Sequence, residues 1–233
     1  MSELRRFTNH RYSGALTSLA SNINPASLLE LTQGKGIRSE KILAGRGGIT
    51  YAELPAIGPV IVKHYTRGGL MGRLIQHRYI YSAVCRAEQE LLMLERVRAL
   101  GVCAPEPVGF VRKGSLLYQN WLITREIQHR ASLAELAASE EEFVDQIAAE
   151  LVAQIQILVE NGIFHVDLHP GNVLVGDKHK VSILDFDKAR DFRGPLRALR
   201  DQYIFRWRRA VLKHCLPDVL NEAVCLGLRK LHG

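Results

Sequence analysis

His165, Asp167 and Asn172 stand in the order H-x-D-x4-N, and Asp185 follows beyond a short apolar ribbon, in VSILDFDK. Phosphoryl transfer from a nucleotide asks little covalent chemistry of a protein. It asks for metal ions that screen the phosphates, a cation on those phosphates, and a carboxylate that orients the attacking hydroxyl. Asp167 has the spacing of that carboxylate. Asn172 and Asp185 carry hard oxygens of the kind Mg2+ prefers. A two-strand hairpin folds back on itself, so residues before its first strand and after its second can converge on one ion. The same stretch permits another chemistry, because His165, Asp167 and His169 spell H-x-D-x-H. A zinc hydrolase would need further His or Asp ligands from other loops, and His64, His77, His129 and His179 do not cluster in the sequence. A hairpin that carries polar residues by chance is the third reading.

Upstream residues favour phosphotransfer. Lys63 lies in VIVKHY, where a strand lysine could reach the α and β phosphates. Glu88, on the helix that follows in RAEQELL, is the expected partner of that lysine, with Glu90 as a second candidate. Gly45, Gly47 and Gly48 form a glycine-rich turn ahead of the lysine, a weak signal taken alone. Glycine turn, strand lysine, helix glutamate, H-x-D-x4-N and hairpin with D-F-x occur in the order a phosphotransferase of the protein-kinase type requires. Within that reading His165 packs under the loop and bonds backbone near Asp185. The presence of Lys63, Asp167, Asn172 and Asp185 together argues against a catalytically dead scaffold. No role follows for His169 or Asp187.

The elements that must hold these residues are legible in outline. A chain of 233 residues with 47% hydrophobic content supports one domain or two small lobes, each with its own core. Residues 1–38 read as an extension on or near the main body. Short strands follow, in ILAGRGGITYAEL and in GPVIVKHY, a β-branched run bounded by Gly58 and Pro59. Residues 82–102 form a helix with Ala87, Leu91, Leu94 and Val97 on one face and Gly101 at its end. PEPVGFVRKGSLLYQNWLITREI reads as strands around a Lys113-Gly114 turn. Ser132-x-x-Glu135 and Ser139-x-x-Glu142 have the form of capping boxes. The second opens a helix in which Phe143, Ile147, Leu151, Ile155 and Leu158 recur at helical spacing, stopped by Asn161-Gly162. NVLV and VSILDF make a hairpin around Gly176-Asp177. From about Pro195 the chain is helical, basic and aromatic, with a break at Pro217. This order predicts an α+β protein of two lobes: an extension at 1–38, a small, mostly β lobe with one helix at 39–126, and a larger, mostly helical lobe at 127–233.

No run of eighteen apolar residues predicts a membrane span, and residues 1–22 lack the apolar core of a signal peptide, so a cytoplasmic location is expected. Cys85, Cys103, Cys215 and Cys225 are scattered, and are expected reduced and mostly buried. The net charge of +7 favours anionic partners without choosing among them.

Four stretches carry a resemblance to a family. They are GRGG; VKHYTRGGLMGRLIQHRYIY after the strand lysine; LGVCAPEPVGF after the helix; and VDLHPGNVLV with SILDFDKAR. Over roughly residues 40–210 the chain resembles the lipopolysaccharide kinases of Gram-negative bacteria, the Kdo (3-deoxy-D-manno-octulosonic acid) and heptose kinases, within the protein-kinase-like fold. The phrase HY-x-RGGL-x-GRL is the most specific, and Asp187, where protein kinases carry glycine, also fits the group. The likeness is nearest to its Kdo kinases. It implies ATP with Mg2+ as cofactors and a Kdo hydroxyl on a lipid A precursor as acceptor, at the cytoplasmic face of the inner membrane. A heptose kinase, or another kinase-like phosphotransferase for a small molecule or a protein, is the alternative. Carried onto this chain, Gly45, Gly47, Gly48, Lys63 and Glu88 bind the nucleotide, with adenine against residues 125–127. Asn172 and Asp185 bind the metal, and Asp167 orients the hydroxyl.

Two departures bear on the acceptor. Val166 stands where protein kinases have the arginine of H-R-D, and no A-P-E segment follows DFD. Both speak against a phosphorylated activation loop and a protein-substrate platform. The loop DLHPGN also occurs in other kinase-like groups, so it names chemistry and not acceptor. Arg67, Arg73 and Arg78, near Gly68-Gly69, which would permit close backbone approach, are candidates to meet ATP phosphates or the acids of a lipid acceptor. Arg193, Arg197, Arg200, Arg206, Arg208 and Arg209, mixed with Tyr203, Phe205 and Trp207, suit an anionic bilayer surface. A nucleic-acid patch would use the same residue types, but no nucleic acid is expected as partner.

Overall fold

β-branched and aromatic residues in period-two runs make the first half of the chain a sheet, and apolar residues at helical spacing make the second half helical. The computed structural model describes residues 3–41, 48–65, 79–80, 84–115, 117–129, 131–139 and 144–230. Gly45, Gly47, Arg67, Arg73, Arg78, Phe143 and the start of the Ser139 capping box's helix lie outside them. Two compact units emerge: residues 1–95 with 106–126, and residues 96–105 with 127–233. Among the described residues there are a large antiparallel sheet and six helices, an arrangement compatible with a kinase-like fold.

In the first unit the strands are β1 (Arg5–Asn9), β2 (Tyr12–Leu16), β3 (Ile37–Lys41), β4 (Ile49–Leu54), β5 (Gly58–His64), β6 (Tyr79–Ile80), β7 (Pro107–Lys113) and β8 (Leu117–Arg125). The sheet runs β1-β2-β7-β8-β5-β4-β3, with β6 pairing β8. Helix α1 (Pro25–Thr32) starts on Asn24, whose side chain accepts from the Ala26 N–H. Helix α2 (Arg86–Ala99) passes from the first unit into the second at Glu95. Leu16, Leu28, Leu31, Leu54, Val60, Val62, Val108, Val111 and Ile123 form one core cluster.

The first 38 residues are therefore more than an extension. β2 pairs β7 in register, Ala15 opposite Phe110 and Leu16 opposite Gly109. The reason is steric as well as apolar. A Cβ on Gly109 would stand 2.5 Å from the Ala15 carbonyl oxygen and 2.9 Å from Leu28 Cδ2, so only glycine lets strand and helix approach there. Gly14 sits in a stretch without obvious periodicity, which is why residues 1–38 read as an appendage.

The second unit holds β9 (Ala131–Ser132), α3 (Leu133–Ser139), α4 (Val144–Glu160), β10 (Ile163–Phe164), β11 (Val173–Val175), β12 (Val181–Ile183), β13 (Arg190–Asp191), α5 (Leu196–Lys213) and α6 (Asp218–Lys230). The Ser132–Glu135 capping box forms: the Ser132 N–H donates to Glu135 Oε2 at 2.7 Å, and the Glu135 N–H to Ser132 Oγ at 3.3 Å. Ile147, Leu151, Ile155 and Leu158 of α4 are buried on one face, and α4 ends before Gly162, at φ +62°. α4 and α5 both pack on α6. The β11–β12 hairpin pairs Val173 with Ile183 and Val175 with Val181. Of the four cysteines, all free, Cys85 and Cys225 are buried and Cys215 is exposed.

Candidate active-site residues

Lys63 is the next-to-last residue of β5. Its Nζ lies 2.8 and 3.1 Å from the two carboxylate oxygens of Glu90, and Tyr65 donates its hydroxyl to the same carboxylate. The expected partner, Glu88, is instead bound by Arg6 of β1 at 2.6 Å. This corrects the pairing read from the sequence. At 3.6 residues per turn, positions 88 and 90 point about 200° apart around the helix axis. A helix that turns Glu90 to β5 must turn Glu88 away. What fixes that rotation is Asn120 of β8, fully buried, whose Oδ1 accepts from the Ala87 N–H at 2.9 Å while its carbonyl accepts from the Tyr65 N–H. One residue thus ties the start of α2 to the end of β5. Gly48 precedes β4, and its carbonyl accepts from His64.

In the second unit the loop from His165 to Asn172 is pinned by hydrogen bonds at several points. The His165 N–H donates to the Tyr203 hydroxyl, which donates in turn to the Ile163 carbonyl, each at 2.8 Å. Arg206 donates to the Val166 carbonyl. Asn172 Nδ2 donates to the Asp167 carbonyl at 2.9 Å. The Leu184 N–H donates to the Asn172 carbonyl at 2.8 Å, which brings Asn172 beside Asp185. Asp185 adopts φ +63°, a left-handed conformation that aspartate tolerates better than most residues but that still costs energy, and such conformations gather at functional sites.

His165 is 1% exposed; its Nε2 lies 2.9 Å from the Leu184 carbonyl, and its ring meets Phe186 edge to face at 4.6 Å. Burial pushes its pKa below the usual 6.5, although the Leu184 carbonyl and the Asp185 and Asp167 carboxylates act in the opposite direction. The neutral ring donates through Nε2 and holds up the backbone on which Asp185 sits. His169 turns the other way: its Nδ1 accepts from the Gly171 N–H. The two imidazoles of H-x-D-x-H serve separate backbone partners, and among the described residues no cluster of three His, Cys, Asp or Glu side chains is placed to hold a zinc ion.

The residues present do fit magnesium. With the Asn172 amide nitrogen committed to the Asp167 carbonyl, its Oδ1 is the atom left for a ligand. That oxygen and the Asp185 carboxylate are donors of the hard kind that magnesium prefers. Lys188, which the sequence reading did not single out, places Nζ 2.7 Å from Asp167 Oδ2. Tyr65, Asn120 and Lys188 had no motif to mark them, though Tyr65, two residues beyond Lys63, follows strand alternation. The aromatic residues proposed for a bilayer divide: Tyr203 and Trp207 are buried, the latter donating to the Leu220 carbonyl, while Phe205 is 66% exposed. Helical period explains this, since 199, 203, 207 and 211 form the inner face of α5.

A family profile described as lipopolysaccharide kinase (Kdo/WaaP) matches residues 34–209, and the chain belongs to that family. Relatives named 3-deoxy-D-manno-octulosonic acid kinase include one from Vibrio cholerae, 31% identical over 62% of this chain and 62% of the relative. Another, from Photobacterium profundum, is 27% identical over 78% of this chain and 75% of the relative. A third, from Haemophilus influenzae, is 30% identical over 57% and 58%. The match to the Vibrio protein thus spans a little less than two thirds of its length.

Proposed function

We propose that this protein transfers the γ-phosphoryl group of ATP to a hydroxyl of Kdo on a Kdo-lipid A type acceptor. The observation that supports the chemistry is the pair of bonds Asn172 Nδ2 to Asp167 O and Leu184 N to Asn172 O, which tie the loop carrying Asp167 and Asn172 to the strand end just before Asp185. The names of the relatives support the acceptor. Lys63, held by Glu90, binds the α and β phosphates, with the glycines at 45, 47 and 48 covering them. Asn172 and Asp185 hold Mg2+, which screens the phosphate charge when bound. Asp167 receives the hydrogen bond of the acceptor hydroxyl and aims its oxygen at phosphorus. Arg67, Arg73 and Arg78 meet the acidic groups of the acceptor.

The exposed stripe of α5 supports attachment to the cytoplasmic face of the inner membrane. Phe205, Arg208, Arg209 and Leu212 follow i, i+3, i+4 and i+7, and all four are exposed. No described helix is long and apolar enough to cross a membrane.

The deciding experiment supplies labelled ATP and Mg2+ with Kdo-lipid A, heptosylated lipid A, a generic protein substrate and an aminoglycoside. Label on Kdo-lipid A alone is expected; label on heptose would make this a heptose kinase. Asp167→Ala should lower kcat by about 10²- to 10⁴-fold with ATP affinity little changed. Asp185→Ala should abolish the calorimetric signal of Mg-ATP binding.

A further inference from the structure

The Asp167 carboxylate meets one cation among the described residues, Lys188, and nothing assigned so far uses it. The contact is built by the backbone. The segment 184–191 is tied down at both ends: the Leu184 N–H bonds the Asn172 carbonyl, and Arg190 pairs with Phe164 across β10–β13. Between them the Ala189 N–H donates to the Phe186 carbonyl at 3.0 Å, closing a turn that has Lys188 at its third position. Lys188 thereby comes to Asp167 from the strand side, 21 residues along the chain. Within the loop itself, His169 is occupied by the Gly171 N–H, and Arg206 spends a guanidinium nitrogen on the Val166 carbonyl.

We propose that Lys188 is a positioning residue for the transfer step, acting through Asp167. This rests on the phosphotransfer reading above. A carboxylate that is to orient a hydroxyl must offer one oxygen in a fixed direction. Lys188 sets that direction: by holding Oδ2 at 2.7 Å it leaves Oδ1 for the hydroxyl. In the step itself the acceptor oxygen forms a bond to the γ-phosphorus. The bond from that phosphorus to the β,γ-bridging oxygen breaks, and its electron pair leaves with ADP. The hydroxyl proton passes to Asp167 and then to solvent. The side chain of Lys188 is 57% exposed, so it contributes little to the core and its replacement leaves the fold intact.

The test measures kcat and KM of wild type, Lys188→Met, Lys188→Arg and Asp167→Ala, with ATP, Mg2+ and Kdo-lipid A. Lys188→Met is expected to lower kcat about 10- to 100-fold, the scale of a misaimed group, with KM for ATP within about twofold. Lys188→Arg, which keeps a cation within reach of Oδ2, should restore most of kcat. A Lys188→Met enzyme with wild-type kcat, one whose loss falls on KM and not on kcat, or one that Lys188→Arg does not rescue, overturns the proposal while an inactive Asp167→Ala leaves the phosphotransfer reading standing. Wild type that labels no acceptor, or Asp167→Ala at full speed, overturns both.

Discussion

Two glutamates two positions apart meet different partners. Glu90 takes Lys63 and Tyr65, while Glu88 takes Arg6. If the first ion pair aligns the phosphates, Glu90→Gln should reduce kcat/KM for ATP about 10- to 100-fold. Glu88→Gln should leave it within about twofold and lower only thermal stability. Equal kinetic losses from both would refute the assignment. His165 makes a second prediction at this scale. Buried neutral, it binds its proton more weakly in the fold than in the unfolded chain, where its pKa is about 6.5. Its contribution is therefore fully present above that value, and stability declines as pH falls below it toward the lower folded value. His165→Asn should flatten the Tm-against-pH curve between about pH 6.5 and 5, ahead of carboxylate titration. A slope unaltered by the substitution would show that other groups cause it.

Among elements, the β1–β2 hairpin is the least expected contributor. It extends the sheet beyond β7 and delivers Arg6 to α2. Its seat depends on glycine at the two crossing points. Gly109→Ala should force β2 from β7 and cost about 1–3 kcal/mol, as overpacking does, readable as a lowered urea midpoint. An unchanged midpoint would mean that the hairpin is not held where Ala15 meets Gly109. Asn120 plays a comparable part for α2, because the same buried side chain that receives the Ala87 N–H sits on the strand next to β5. The hairpin β11–β12 does for Asn172 and Asp185 what Asn120 does for Glu90: it converts a separation along the chain into adjacency.

For the whole molecule, the net charge of +7 and the exposed basic face of α5 make one prediction. Binding to liposomes should rise with anionic lipid, fall with salt over the Debye range, and weaken in Arg208→Glu/Arg209→Glu. Binding that ignores lipid charge but follows added RNA would replace the membrane by nucleic acid. The sequence by itself determined the chemistry, because H-x-D-x4-N, the hairpin after it, the Ser132 cap and the α4 repeat are short-range patterns, and short-range geometry follows from residue spacing. It left open which glutamate holds Lys63, that Lys188 reaches Asp167, and that residues 5–16 belong to the sheet. Those three facts each join residues 21 to about 100 positions apart. They are decided by the rotation of a helix, the path of a turn and the absence of two Cβ atoms, none of which has a period along the chain.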